Sequence, residues 1–190
     1  MADELNTAGR DLPNLATEIK ALIREGKKLP PVNDWHPERA GEIDIRIAKD
    51  GVWYYQGDKM ERQSIVTLLS GILRKDGNDY FLVTPSEKMK VKVDDAPFVI
   101  NMMDVEGEGG SQSIHFSTNV GDAFTLSSKH FLEVQYNEKG EPAPYVLVRD
   151  KLYGLISRKV YYELAELAEC LDEAEKFGVR SDGAWFVLSG

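Results

Sequence analysis

Two arginines stand in matching local surroundings: Arg62 follows Met60-Glu61, Arg158 follows Ile156-Ser157, and each opens a stretch with helical apolar spacing. A guanidinium is out of place there, because the positive end of a helix dipole disfavours a cation by about 0.3–1 kcal/mol. Two readings offset that cost. Each arginine pairs with a carboxylate such as Asp50, Asp95 or Asp150. Alternatively, guanidinium and helix-end amides together hold an anion in a cleft shared by two halves of the chain. In that second reading Thr84 donates a hydrogen bond, and Trp53 or Tyr153 stacks on a base.

The remaining reactive side chains form no catalytic set. Lys88, Lys90 and Lys92 alternate with Met89, Val91 and Val93, so the three ammoniums share one strand face. Such lysines guard an edge strand against aggregation or contact phosphate. Asp94-Asp95 sits at a strand exit without the further oxygen ligands of a hard-metal site. His36, His115 and His130 are scattered and lack zinc spacing. Ser70-Gly71, Thr84-Pro85 and Ser157 match no nucleophile elbow, and Gly107 to Gly110 lacks the lysine of a phosphate-binding loop. Cys170 sits among glutamates, which do not favour a thiolate. Neither a metal nor a cofactor is indicated.

Composition narrows the class. The 190 residues are 42% apolar and 29% charged, and 23 basic against 32 acidic residues leave a net charge of −9. A sequence-blind coat for nucleic acid needs a basic surface, so bulk nucleic-acid binding is excluded. Residues 1–100 carry a net −2 and residues 101–190 a net −7, which directs an anionic ligand toward the first half or the seam between halves. A single cysteine allows no internal disulfide. The amino terminus has no apolar core of a signal peptide, and no stretch approaches the roughly 18 apolar residues of a membrane span. The expectation is a cytoplasmic protein.

The elements follow from periodicity. Leu15, Ile19, Leu22 and Ile23 predict a helix over 11–26, an arm hinged at Pro30-Pro31. Ile43, Ile45 and Ile47 alternate with Asp44 and Arg46 as a half-buried strand, and Asp50-Gly51 turns it into Val52 to Tyr55. Ile65, Leu68, Leu69, Ile72 and Leu73 lie on one helical face, with Asp58 and Glu61 at capping-box spacing and Arg74-Lys75 at the carboxyl end. Asp76-Gly77 turns the chain into the strand Tyr80 to Val83. Further strands are predicted at 89–93, 98–105 and 113–117, with a hairpin of 131–136 on 145–149. A long helix over Ser157 to Phe177 precedes Asp182-Gly183 and a last strand, 185–188.

Aligning Arg62 with Arg158 puts Ile65 on Tyr161 and Leu68 on Leu164. Strand, helix, Asp-Gly turn and aromatic strand then recur in the same order. The fold class is therefore α+β, an internally duplicated hairpin-helix-strand core with an N-terminal helical arm. The arm covers residues 1–32, the first repeat 33–97 and the second 98–190.

Several segments together resemble a known bacterial family. These are Trp35-x-Pro37, Asp50-Gly51-x-Trp53-x-Tyr55-x-Gly57, Arg62, Leu82-Val83-Thr84-Pro85-x-Glu87-Lys88 and Val93-x-Asp95-Ala96-Pro97-Phe98. Asn119-x-Gly121-Asp122 and Tyr145-Val146-x-Val148-Arg149 complete the set. Over about residues 30–190 the chain is similar to domain-of-unknown-function family 1285. The resemblance implies a duplicated α+β core whose second half is superficially pleckstrin-homology-like. It also implies a nucleotide or nucleic-acid-like ligand between the halves and a role in signal transduction. On that basis Thr84, Glu87, Lys88 and Asp95 join Arg62, Arg158, Trp53 and Tyr153 as expected ligand-binding residues. Two alternatives stand beside it: an enzyme with Glu87 or Asp95 as general base, and a protein-interaction adaptor that adds a partner strand to the lysine-bearing edge.

Overall fold

The structure, a computed structural model, describes residues 12–23, 29–136, 138–171 and 176–189. The chain divides into two compact units, Met1–Arg46 with Trp53–Lys92, and Ile47–Val52 with Val93–Gly190.

In the first unit, α1 (Leu12–Ile23) buries Leu15 and Ile19 and packs on α2 (Gln63–Ser70). The strands are β1 (Arg39–Ile47), β2 (Trp53–Tyr55), β3 (Asp58–Lys59), β4 (Leu73–Asp76), β5 (Asp79–Val83) and β6 (Glu87–Val93). They form one sheet in the order β3-β2-β1-β6-β5-β4. Ile45 and Ile47 point inward while Asp44 and Arg46 are exposed, as strand alternation demands.

Two expectations for this unit are corrected. The helix ends at Ser70, whose hydroxyl donates back to the Thr67 carbonyl at 2.8 Å and so competes with the helix ladder. Ile72 and Leu73 continue the helical spacing, yet Leu73 opens β4 opposite Leu82, and Arg74 and Lys75 stand on that strand. Asp58 lies in β3, and Arg62 is itself the N-cap residue of α2, without a side-chain capping bond. The lysine-bearing strand β6 is interior, between β1 and β5, so its lysines guard no edge and it accepts no added strand. Lys88 instead pairs with Asp76 at 3.5 Å, and Lys90 with Asp79 at 2.9 Å.

The second unit contains β7 (Phe98–Glu106), β8 (Ser113–Thr118), β9 (Ala123–Thr125), β10 (Leu132–Tyr136), β11 (Pro142–Arg149) and β12 (Leu152–Ile156). Their order is β10-β11-β12-β7-β8-β9, with β12 parallel to β7. Phe98, Ile100, Phe116 and Val146 form its core, and Arg149 pairs with Asp122 while lying 4.7 Å over the Phe98 ring. Then come α3 (Arg158–Glu166) and a three-stranded sheet of β13 (Glu169–Leu171), β14 (Lys176–Ser181) and β15 (Ala184–Ser189).

The long helix expected over 157–177 therefore ends eleven residues early. Glu169, Cys170 and Leu171 pair with Gly178, Phe177 and Lys176, so Cys170 is exposed on a strand rather than set on a helix. A three-residue strand is too short to show its own period, and the apolar spacing of 160, 164, 167, 168 and 171 reads straight through it.

The duplication is present, in a different register from the one the arginines suggest. Each six-stranded sheet is two three-stranded meanders joined through the first and sixth strands, so β1–β6 correspond to β7–β12. An equivalent bond lies just beyond each sixth strand: Asp94 N–H to the Ile47 carbonyl, and Ser157 N–H to the Ile100 carbonyl, both at 3.0 Å. Helix α2 falls between the third and fourth strands of its repeat, whereas α3 follows the sixth. Arg62 and Arg158 are thus not equivalent positions.

Candidate functional site

Pro142 and Pro144 line a cleft of the second unit. Val146 pairs with Gly154 across β11 and β12, so the backbone N–H positions of 144 and 142 would face the continuation of β12. Proline supplies no N–H there, and the chain leaves the ladder at Ser157 and enters α3. Ser157 caps that helix by accepting the Val160 N–H at 3.4 Å. The result is a cleft of about 850 Å³ between the ends of β10–β12 and the face of α3, within the size range of small-ligand sites.

Its polar chemistry is mixed. The Tyr145 hydroxyl donates to Asp95 Oδ1 at 2.7 Å, and Lys49 Nζ lies 3.4 Å from the other oxygen. Burial, followed by the Asp95 hydrogen bond and charge, pushes the Tyr145 phenol up to about 12, so it stays a neutral donor. Burial, with a smaller effect of Tyr136, also raises the Tyr161 phenol, whose hydroxyl donates to the Leu188 carbonyl at 3.3 Å. Tyr136 and Tyr162 line the same cleft and are 53% and 59% exposed. Arg158, the first residue of α3, is exposed at its rim.

Of the residues singled out by sequence, the structure brings Arg158 and Asp95 into this one cleft. Asp95 is already held by Tyr145 and Lys49, which answers the pairing expected of it without an arginine. Tyr153 is nearby on β12, edge-on to Phe131 at 6.2 Å, with its phenol raised by burial and then by Glu133.

The other expected residues belong to the first unit. Arg62 is exposed at the start of α2. Trp53 is 1% exposed in the core, so its ring offers no face to a base. Thr84 is equally buried, and its hydroxyl closes the β5–β6 turn by accepting the Glu87 N–H at 3.3 Å. Glu87 is 6% exposed in that turn, out of reach of a substrate as general base. Lys88 lies 4.7 Å over the Phe81 ring and pairs with Asp76. Hydrogen bonds from Arg74 hold the Asp76 carboxyl below its ordinary range, with burial opposing and the charges of Arg74 and Lys88 reinforcing.

The sequence reading missed Lys49, Tyr136, Tyr161 and Tyr162. The available signals were Pro142-x-Pro144, a ladder stop inside a strand, and the adjacent tyrosines Tyr161 and Tyr162 early in a helix.

Family models match the chain from end to end of its sheets. "Domain of unknown function (DUF1285), N-terminal domain" covers residues 30–96, and "Protein of unknown function (DUF1285), C-terminal domain" covers 97–188. A DUF1285 family protein from Silicibacter pomeroyi DSS-3, solved at 2.50 Å, is similar with a TM-score of 0.86 and 41% identity, over 96% of both chains. A second, from Shewanella baltica OS155 at 1.40 Å, has a TM-score of 0.53 and 26% identity, over 65% of this chain and 91% of the other. No curated protein matches. Among the described residues no helix is long and apolar enough to cross a membrane. Two matched domain models and a 41% identical relative of the same extent place the chain in one lineage: it belongs to the DUF1285 family.

Proposed function

We propose that this protein is a cytoplasmic regulatory module that binds a nucleotide or another small phosphate-bearing ligand and transmits its presence in signal transduction. One observation carries the reading: the exposed Arg158 and two largely exposed tyrosines, Tyr136 and Tyr162, line the same second-unit cleft. A guanidinium recognises phosphate through its planar donors, and an aromatic face accepts any base by stacking, worth about 1–3 kcal/mol per base. The neutral Tyr145 phenol, with Asp95 and Lys49, lines the same cleft. Six strands followed by α3 support the pleckstrin-homology-like description of this unit, and burial of Leu15 and Ile19 supports α1 as an arm docked on the first.

The test is a thermal-shift titration with nucleoside monophosphates and with inorganic phosphate. A nucleotide at 100 times its Kd stabilises the fold by ~2.7 kcal/mol. Arg158→Ala abolishes the shift, Tyr162→Ala weakens it, and neither moves the melting temperature of the free protein. Absence of any shift across the panel overturns the reading.

A further inference from the structure

Tyr136 lines two depressions of the second unit at once. One is the cleft that holds Arg158; the other is a groove of about 490 Å³ where β10 and β15 adjoin. The groove is lined by Phe131, Leu132 and Val134 on one side and by Trp185, Val187 and Leu188 on the other, with no charged side chain. A second link joins the two. Tyr161 lines the cleft, and its hydroxyl donates to the carbonyl of Leu188 at 3.3 Å.

Exposure follows the same path. Among the described residues six large apolar side chains are exposed, and three of them, Tyr136, Tyr162 and Val187, line the cleft or the groove. Exposed apolar surface gathered in adjoining depressions marks a binding site. Charge describes the rest of the ligand. Two cations, Lys49 and Arg158, line the cleft against three carboxylates, Asp94, Asp95 and Glu141. Lys49 lies 3.4 Å from Asp95, which makes Arg158 the cation that meets an anion. A polyphosphate would face more negative than positive charge there, whereas a head with one phosphate and one ammonium matches both signs. Tyrosine faces attract an alkylammonium as well.

We propose that the cleft and the groove together bind one single-chain amphiphile whose head carries a phosphate and an ammonium group, as a lysophospholipid does. This rests on Arg158 as the phosphate contact of the reading above and adds to it the second charge and the tail. The phosphate meets Arg158, the ammonium meets the carboxylates and tyrosine rings of the cleft, and the chain passes Tyr136 into the groove. The groove, at about 490 Å³, stands toward the lower end of the roughly 300–1,000 Å³ of small-ligand sites, which suits one chain and not two.

The probes are phosphocholine and its butyl, hexyl and octyl esters, each below its micelle concentration, titrated into the full chain and followed by proton–nitrogen NMR. Affinity rises with chain length by up to about fourfold per methylene, the factor equivalent to ~0.8 kcal/mol for each one buried. The octyl ester shifts the indole N–H resonance of Trp185, which lines the groove, and leaves those of Trp35 and Trp53 in the first unit in place. Val187→Asp, at a position 43% exposed, abolishes the dependence on chain length and leaves phosphocholine binding unchanged. The wild-type series carries the test alone if that variant does not fold. Equal affinity for all four probes overturns the proposal while the phosphate reading stands. Octyl glucoside binding as tightly as octylphosphocholine overturns both, because the head then contributes nothing. Octyl phosphate binding as tightly also overturns the proposal, since the ammonium then plays no part. So does recovery of the protein on phosphatidylcholine vesicles without a response to the monomers, which moves the site to a membrane surface. Silence to every probe overturns it too, and the nucleotide titration then decides the phosphate reading on its own.

Discussion

The Tyr145 hydroxyl and the Asp95 carboxylate lie 2.7 Å apart, although fifty residues separate them in sequence. Tyr145 stands near the start of β11 and Asp95 in the link between β6 and β7, so the bond ties that link to the floor of the cleft. Because the folded-state phenol is raised from 10 to about 12, its stabilising contribution is complete below pH 10. As pH rises through 10 toward 12 the unfolded chain ionises first and the contribution is lost. Phenolate absorbance should show Tyr145, with Tyr153 and Tyr161, among the tyrosines that titrate late in the folded protein, and Tyr145→Phe should remove one late step at a cost of about 0.5–1.5 kcal/mol. Loss of an early-titrating tyrosine instead would contradict the assignment.

Arg74 is a fastener of the first unit. It donates to the carbonyls of Val32 and Trp35 at 2.8 Å each and makes two bonds to Asp76. Arg74→Ala strands those partners and should destabilise the protein by about 2–4 kcal/mol, measured by urea unfolding. Asp76 titrates below its ordinary range, so its contribution is present above the unfolded value near 3.8. It fades as pH falls through the lower folded value. Asp76→Asn should flatten the acid limb of the stability–pH curve.

Asn119 splices a turn to a strand. Its side-chain oxygen accepts the Val99 N–H at 2.9 Å, and its amide donates to the Gly51 carbonyl at 3.0 Å. Gly51 has a φ of +82°, and a Cβ there would lie 2.6 Å from the Asn119 amide nitrogen. Asn119→Asp replaces that donor with an oxygen facing a carbonyl, and chemical denaturation should register a loss of about 1–3 kcal/mol. Gly51→Ala should be at least as harmful, since it adds backbone strain.

Gly154 lets β12 approach the core: a Cβ would come within 2.9 Å of Ile100 Cδ1 and 3.2 Å of Val148 Cγ2. Gly154→Val should cost about 1–3 kcal/mol by overpacking, and pairing it with Ile100→Val should recover part of that loss. Recovery is the diagnostic, because a defect of the backbone alone would not respond to space made at residue 100.

Local chemistry in the sequence announces the hairpins well. Gly77 and Asp182-Gly183 fall in short turns between paired strands and have positive φ, because the residues that tolerate positive φ are few. Helix ends are less legible: Ile72 and Ala168 keep the helical spacing while the chain has already changed structure, and strand pairing, a non-local effect, decides. The repeat is visible as local similarity, but its register depends on which strands lie side by side in the sheet, and the Arg62–Arg158 match misses that. Arg158 and Asp95 reached one cleft as side chains of two separate segments. Tyr136 and Tyr162, 26 positions apart, meet there only once β10 and α3 are in place, so spacing alone does not single them out. Asn119, Asp122 and Arg149, prominent in the family segments, turn out to hold strands and turns together.

The third sheet has a practical corollary. Its first strand carries the lone thiol of the whole chain, Cys170, on the surface and opposite Phe177. A maleimide dye or nitroxide attached to the wild-type sequence would therefore report from a single known spot, two strands away from β15, without any engineering of the background.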